Sequence, residues 1–143
     1  MKKIHKSALV AYSPEQMFKL VDNIDAYADF LPWCSNSQII ERTDEYVKGN
    51  LEISYSQLNK YFVTKNLNTP HSQIEMQLVE GPFKHLLGLW SFSALGEDGC
   101  KIELNMEFEF SNKLIDMTVG PVFGKIANSL VDAFTERAKS IYG

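Results

Sequence analysis

The sequence predicts an α+β domain in which a curved antiparallel sheet of about seven strands grips one long C-terminal helix, with two short helices after the first strand. Three observations predict it. Residues 101–110 alternate Ile102, Leu104, Met106, Phe108 and Phe110 with Lys101, Glu103, Asn105, Glu107 and Glu109. That period of two makes a sheet with one apolar and one wetted face. Beyond Ser111 and Asn112 the period becomes helical, and Val119, Val122, Phe123, Ile126, Ala127, Leu130, Val131, Phe134, Ala138 and Ile141 form a broad apolar stripe. Between residues 37 and 110, short runs of strand periodicity are joined by short polar links, the pattern of an antiparallel meander.

Residues 4–10 read as the first strand. Ser13 is a good helix cap, Pro14 fits the first helical position and Gln16 completes a capping box. Met17, Phe18, Leu20, Val21 and Ile24 give one buried helical face. Ile24, Tyr27, Phe30 and Leu31 continue a second short helix that Pro32 ends, so the two helices form an angled pair. Residues 38–41 read as a strand. Val47, Gly49, Leu51, Ile53 and Tyr55 alternate with Lys48, Asn50, Glu52 and Ser54 in the next one. Tyr61, Val63 and Leu67 then alternate with Phe62, Thr64 and Asn66, and Ile74, Met76 and Leu78 alternate with Glu75 and Gln77. Residues 86–95 are apolar but less periodic, and Gly88 within them points to a bulge or a close approach of another backbone. Gly96-Glu97-Asp98-Gly99 is a turn into the 101–110 strand. Asn112 is a candidate cap for the last segment. Pro121 has no N–H to give the carbonyl of Met117, so a kink or break is expected there.

The 143 residues suit a single domain over 1–143, large enough to bury roughly two-thirds of its unfolded surface. A net charge of −4 weighs against non-specific nucleic-acid binding, and no DNA partner is expected. No apolar run approaches the roughly 18 residues a membrane span needs, which leaves only transient membrane contact. The start, Met1-Lys2-Lys3-Ile4-His5-Lys6, has no apolar core behind it, so a cytoplasmic location is expected. Cys34 and Cys100 read as reduced structural thiols.

No catalytic constellation emerges. His5, His71 and His85 are scattered, and none has a partner at the spacing of a metal site. Glu103, Glu107 and Glu109 fall on the wetted face, where burial tunes a carboxyl least. The inner polar candidates are the hydroxyls of Tyr55 and Tyr61. An apolar cavity is expected between sheet and helix, lined by Leu51, Ile53, Tyr55, Met76, Trp90, Leu104, Met106 and Phe108 with Val119, Phe123 and Ile126. A partner surface is expected at Trp33, Phe83 and Lys84, with Lys60 and Lys65; the other reading is that Trp33 plugs the cavity mouth and Phe83 anchors a tight hairpin turn.

The motifs Phe-Leu-Pro-Trp-Cys at 30–34 and Glu-Gly-Pro-Phe-Lys at 80–84, followed by Leu86, Gly88, Trp90 and Phe92, resemble the coenzyme Q-binding branch of the START-like proteins. The resemblance extends over Ala8-Leu9-Val10, Tyr12-Ser13, Gln16-Met17, residues 108–114 and residues 134–138, nearly the whole chain. Within that branch the chain is most similar to the bacterial ribosome association toxins. The resemblance implies a helix-grip fold around an apolar tunnel. It also implies a non-enzymatic protein that binds the large ribosomal subunit and blocks subunit association, with room for ubiquinone or another lipid and no required cofactor. Two alternatives follow from the same resemblance: a ubiquinone carrier supporting respiration, and an oligoketide cyclase or dehydratase. Two positions depart from the pattern. Lys65 stands where an arginine is usual, and it lacks the planar fork for phosphate. Pro121 interrupts the last helix.

Overall fold

A computed structural model describes residues 1–55 and 58–143; the side chains of Tyr55 and Leu58 lie outside that description. The elements run β1 (Lys2–Val10), α1 (Pro14–Asp22), a 3-10 turn (Ile24–Ala26), α2 (Tyr27–Phe30), β2 (Cys34–Arg42), β3 (Val47–Tyr55), β4 (Leu58–Thr69), β5 (Gln73–Glu80), β6 (Phe83–Leu95), β7 (Gly99–Phe110), α3 (Lys113–Thr118) and α4 (Gly120–Tyr142). The strands form one antiparallel sheet in the order β1-β7-β6-β5-β4-β3-β2. Strands β2 to β7 are therefore a simple meander, and β1 returns to pair with β7. The curved sheet holds α4 on its concave side, as the periodicity predicts.

The predicted capping box is present. The Gln16 N–H donates to Ser13 Oγ at 3.1 Å, and the Ser13 N–H donates to Gln16 Oε1 at 2.8 Å. Met17, Phe18 and Val21 are the buried face of α1. The second helical segment is one 3-10 turn followed by a single α-turn, tied to α1 where the Tyr27 hydroxyl donates to the Val21 carbonyl. This segment also covers part of the open edge of β2. The Ile39 N–H donates to Asp25 Oδ1 at 2.7 Å, and the Ala28 N–H donates to Ser37 Oγ at 3.1 Å.

On β7 the alternation reads true: Ile102, Leu104, Met106, Phe108 and Phe110 are all buried. The glutamates between them face outward and are paired, Glu103 with His5 at 2.6 Å, Glu107 with His85 at 3.0 Å and Glu109 with Lys84 at 3.5 Å. The His5 hydrogen bond holds the Glu103 carboxyl below its ordinary pKa.

Strand β4 corrects the sequence reading. Phe62, Thr64 and Asn66 face the helix, while Tyr61 is 56% exposed and is not an inner hydroxyl. The cause is register. Leu51 pairs with Phe62, Gly49 with Thr64 and Val47 with Asn66, and directly opposed residues share a face. Val63 sits at a register shift against β5 and is also buried, on the outer side. Strand β6 has its irregularity between Phe83 and His85, which lets Phe83 and Leu86 both point inward. Gly88 is not the bulge. It lies between Met76 on β5 and Met106 on β7, and a Cβ there would collide with the Met76 methyl.

The predicted break falls at Val119, between α3 and α4. Pro121 occupies the first turn of α4, where its missing N–H leaves no helical carbonyl wanting. Phe123, Ile126, Ala127, Val131, Phe134 and Ala138 are buried against the sheet; Ile141, in the last turn, is exposed.

Gly81 closes the turn between β5 and β6 at φ +148°, and a Cβ there would stand 2.7 Å from Phe62 Cβ. Gly81→Ala is expected to cost about 1–3 kcal/mol, read as a lower urea midpoint with an unchanged slope. An unchanged midpoint would show that the turn relaxes freely.

Candidate functional site

Two clusters of aromatic rings fix α4 to the sheet. Near the helix start, Phe123 touches four rings: Phe108 at 4.7 Å between centroids, Phe83 at 5.1 Å, Phe110 at 5.8 Å and Phe62 at 6.3 Å. Phe83 and Phe110 stack on each other at 4.6 Å. Phe134 lies about 16 Å further along the helix axis. It meets Phe30 at 5.3 Å and both Tyr27 and Trp90 at 5.4 Å. Most of these contacts are edge-on, the arrangement that adds about 0.5–1.5 kcal/mol per pair to simple burial.

Between the clusters lies an apolar cavity of about 50 Å³. Its wall comes from Ile126, Ala127 and Leu130 of α4, Leu51 of β3, Thr64 and Asn66 of β4, Met76 of β5, Leu86 of β6 and Met106 of β7, with Ile24 and Trp33 beside the rings. The volume is well below the roughly 300–1,000 Å³ of a typical ligand site. A larger ligand enters only if wall side chains move, and the unbranched thioethers of Met76 and Met106 are suited to that.

Among the described residues, Thr64, Asn66 and Tyr27 bring polar oxygen groups to the wall. The Thr64 hydroxyl donates to Asn66 Oδ1 at 3.0 Å. Asn66 is only 4% exposed, and among the described residues no protein acceptor takes its amide N–H groups. The Tyr27 phenol is held far above its ordinary pKa, by burial first and then by the charge of Asp22 and by Cys34, so it stays a neutral donor. Among the described residues the wall holds no carboxylate, imidazole or amine. The arrangement can take an apolar body and offer hydrogen bonds to one acceptor on it.

Of the residues the sequence suggests for the cavity, Leu51, Met76, Trp90, Met106, Phe123 and Ile126 line it. Ile53, Leu104 and Phe108 are buried in the surrounding core, and Val119 is half-buried at the helix break. The side chain of Tyr55 lies outside the described residues. Two surface assignments are corrected. Trp33 is buried and lines the cavity, because the Ser54 N–H donates to its carbonyl at 2.8 Å and draws it onto the concave side. Phe83 is buried because its register with Phe110 puts it in the ring cluster. The three lysines do not gather into one patch. Lys60 stands opposite Ile53, Lys65 lies on the outer face with its ammonium 4.6 Å from the Tyr46 ring centre, and Lys84 pairs with Glu109. Thr64 and Asn66 are the functional candidates that sequence periodicity misses, since polar residues read as outward. Their signal is the register opposite Gly49 and Val47.

Basic residues do collect along β1. An open groove of about 570 Å³ between β1 and α4 is bordered by Lys2, Lys3, His5, Lys125 and Asn128. Lys2 pairs with Asp116 at 3.4 Å and Lys6 with Asp132 at 3.8 Å. Among the described residues, Lys3 and Lys125 make no ion pair. Both cysteines are free and buried, and burial raises both thiols above their ordinary pKa. Among the described residues, no helix is long and apolar enough to cross a membrane.

Phe123→Ala is expected to lose about 3–5 kcal/mol and to enlarge the cavity. The variant should show a benzene-dependent rise in melting temperature that the parent lacks. Equal melting of parent and variant would remove Phe123 from the centre of the cluster.

Comparison with known proteins agrees with this architecture. The family model for polyketide cyclase/dehydrase and lipid transport matches residues 10–135. A relative from Vibrio cholerae named ribosome association toxin RatA is 45% identical over 143 residues, covering 100% of this chain and 99% of that protein. A Xenopus laevis relative named mitochondrial coenzyme Q-binding protein COQ10 homolog B is 27% identical, over 96% of this chain and 58% of its own length. A solved START superfamily protein from Mycobacterium smegmatis superposes with a TM-score of 0.82 at 20% identity, over 97% of this chain and 98% of that one. The chain belongs to the polyketide cyclase/dehydrase and lipid transport family, and it shares its fold with that START superfamily protein.

Proposed function

We propose that this protein binds the large ribosomal subunit and hinders its joining to the small one, acting by contact and not by catalysis. The observation that carries this reading is the 45% identity, end to end, with a relative named for ribosome association. The cavity wall supports the non-catalytic part, because a cyclase or dehydratase needs positioned acids and bases and the described wall offers none. That third alternative ranks last for this reason. A cytoplasmic location goes with the ribosomal role.

The docking face is the β1–α4 groove. Lys3 and Lys125 are exposed cations without ion-pair partners among the described residues, and they flank a concavity that suits ribosomal RNA phosphates. Of the other groups bordering it, Lys2 is spent on Asp116 and His5 on Glu103, so the groove depends on these two lysines.

A second reading, compatible with the first, is that the cavity holds ubiquinone or another lipid. The buried Thr64–Asn66 pair favours it, since an otherwise apolar wall then offers a donor to one carbonyl.

In sucrose gradients the protein is expected to co-sediment with large subunits and to lower the fraction of joined ribosomes. Lys3→Glu combined with Lys125→Glu should abolish co-sedimentation at the same salt concentration, and the parent's binding should weaken as salt rises. An unchanged ribosome profile with the parent protein would end the ribosomal reading; retained binding by the double variant would move the docking face elsewhere.

Asn66→Leu keeps the volume and removes the amide. It is expected to weaken binding of a short-chain ubiquinone about tenfold, measured by quenching of tryptophan fluorescence, the effect of about one hydrogen bond. Equal affinity would take Asn66 out of the headgroup site.

A further inference from the structure

Helix α3 turns its one acidic side chain inward and two large apolar ones outward. Its acidic residue, Asp116, is turned toward the protein: Oδ1 accepts the Phe110 N–H at 3.0 Å, and Oδ2 lies 3.4 Å from Lys2 Nζ. Lys2 Nζ also donates to the Asp116 carbonyl at 3.3 Å. Asn112 caps the helix through its Oδ1, which accepts from Leu114 N and Ile115 N. Ile115 is half-buried against the core, but two large apolar side chains go the other way. Leu114 is 69% exposed and Met117 is 75% exposed, and no residue of the helix is buried. The two are three residues apart and so share one helical face. Asp116, Asn112 and Ile115 fix the helix to the body while Leu114 and Met117 offer grease to the outside.

The position of α3 adds a second observation. The Ser111 N–H and hydroxyl both donate to the Pro82 carbonyl, at 2.9 and 3.1 Å, so the β5–β6 turn lies against the entry to α3. That turn in turn packs on Phe62 through Gly81. The ring cluster of Phe62, Phe83, Phe110 and Phe123 includes the residue two before Asn112, the cap of α3, and two of its rings, Phe62 and Phe123, line the cavity. Lys113 on α3 and Lys84 beyond the turn are both exposed at this end. Of the acidic groups nearby, Asp116 is engaged by Lys2, Glu109 is shared by Lys84 and the chain's amino terminus, and Glu80 is exposed.

We infer that α3 is a docking element for an anionic lipid surface: Leu114 and Met117 enter the acyl boundary, Lys113 and Lys84 meet the headgroup phosphates, and the ring-closed end of the cavity faces the bilayer. Two apolar side chains are far too little for a stable protein interface, which takes about 800 Å² on each partner. They suit shallow, reversible seating at a membrane, where flanking lysines supply the remaining attraction. The inference goes beyond the ribosomal reading and stands or falls separately from it, because α3 and the Lys3–Lys125 pair are different residues.

The test is flotation of the full chain with vesicles, either of phosphatidylcholine alone or with about a third phosphatidylserine, an arbitrary strongly anionic mixture. The parent should float with the anionic vesicles only, and less as salt rises. Leu114→Ser with Met117→Ser should reduce flotation about tenfold or more, and Lys113→Glu should reduce it as well, all with circular dichroism and melting like the parent's because these side chains are exposed. Met117→Trp should show a blue-shifted emission on adding the anionic vesicles. The serine double variant is also run in the ribosome gradients, where co-sedimentation like the parent's is expected. Absence of parent flotation, flotation unaffected by the serine pair, or loss of ribosome co-sedimentation with vesicle binding intact would each overturn the assignment; the last would make α3 a ribosome contact.

Discussion

The structure depends on one constraint: the apolar stripe of α4 must be covered by a sheet that is apolar on only one face. Two ring clusters, centred on Phe123 and Phe134, meet that demand at separated points along the helix. Between them the sheet spans the helix with smaller and more flexible groups, among them Leu51, Met76 and Met106. The gap that remains is a by-product of clamping a rigid rod at two places, and its polar pair gives it chemical character. Removing either clamp unbalances the other, because both act on the same helix. In the same way, the register that places Phe62 in the first clamp also places Thr64 and Asn66 in the gap.

Much of this architecture is legible from local sequence. The alternation in 101–110, the capping box at Ser13 and Gln16, and the interruption at Gly120-Pro121 are all signals carried by near neighbours, and each appears where it reads. The failures involve information from distant residues. The inward face of β4 carries two polar side chains, so hydrophobicity along that strand points the wrong way, and only its pairing with β3 corrects it. Trp33 and Phe83 follow turns whose direction is set by Ser54 and Phe110, partners far along the chain. The lysines of β4 and β6 fall on different faces for the same reason, while those of β1 gain their significance only once α4 lies beside them.

The family to which the chain belongs is named for both chemistry and carriage, and the shared fold does not choose between them. The choice rests on what stands in the wall of the cavity. The Tyr27 and Thr64 hydroxyls donate to Val21 and Asn66, so of these groups the Asn66 amide has N–H donors left to orient a ligand. The ionisable groups of β7 are spent on the outer face, in pairs with His5, His85 and Lys84. The protein thus keeps an apolar interior and places these charges on its outside.

An open sheet has two rims, and each ends in backbone groups that invite another strand. Here α4 lies alongside β1, and the short helical segment spends Asp25 on the Ile39 N–H of β2. A second molecule approaching the β2 rim therefore finds one of the amides it needs already occupied. The carboxylate of Asp25 thus acts as a stopper at that point of the rim, taking up a donor that a further strand would use.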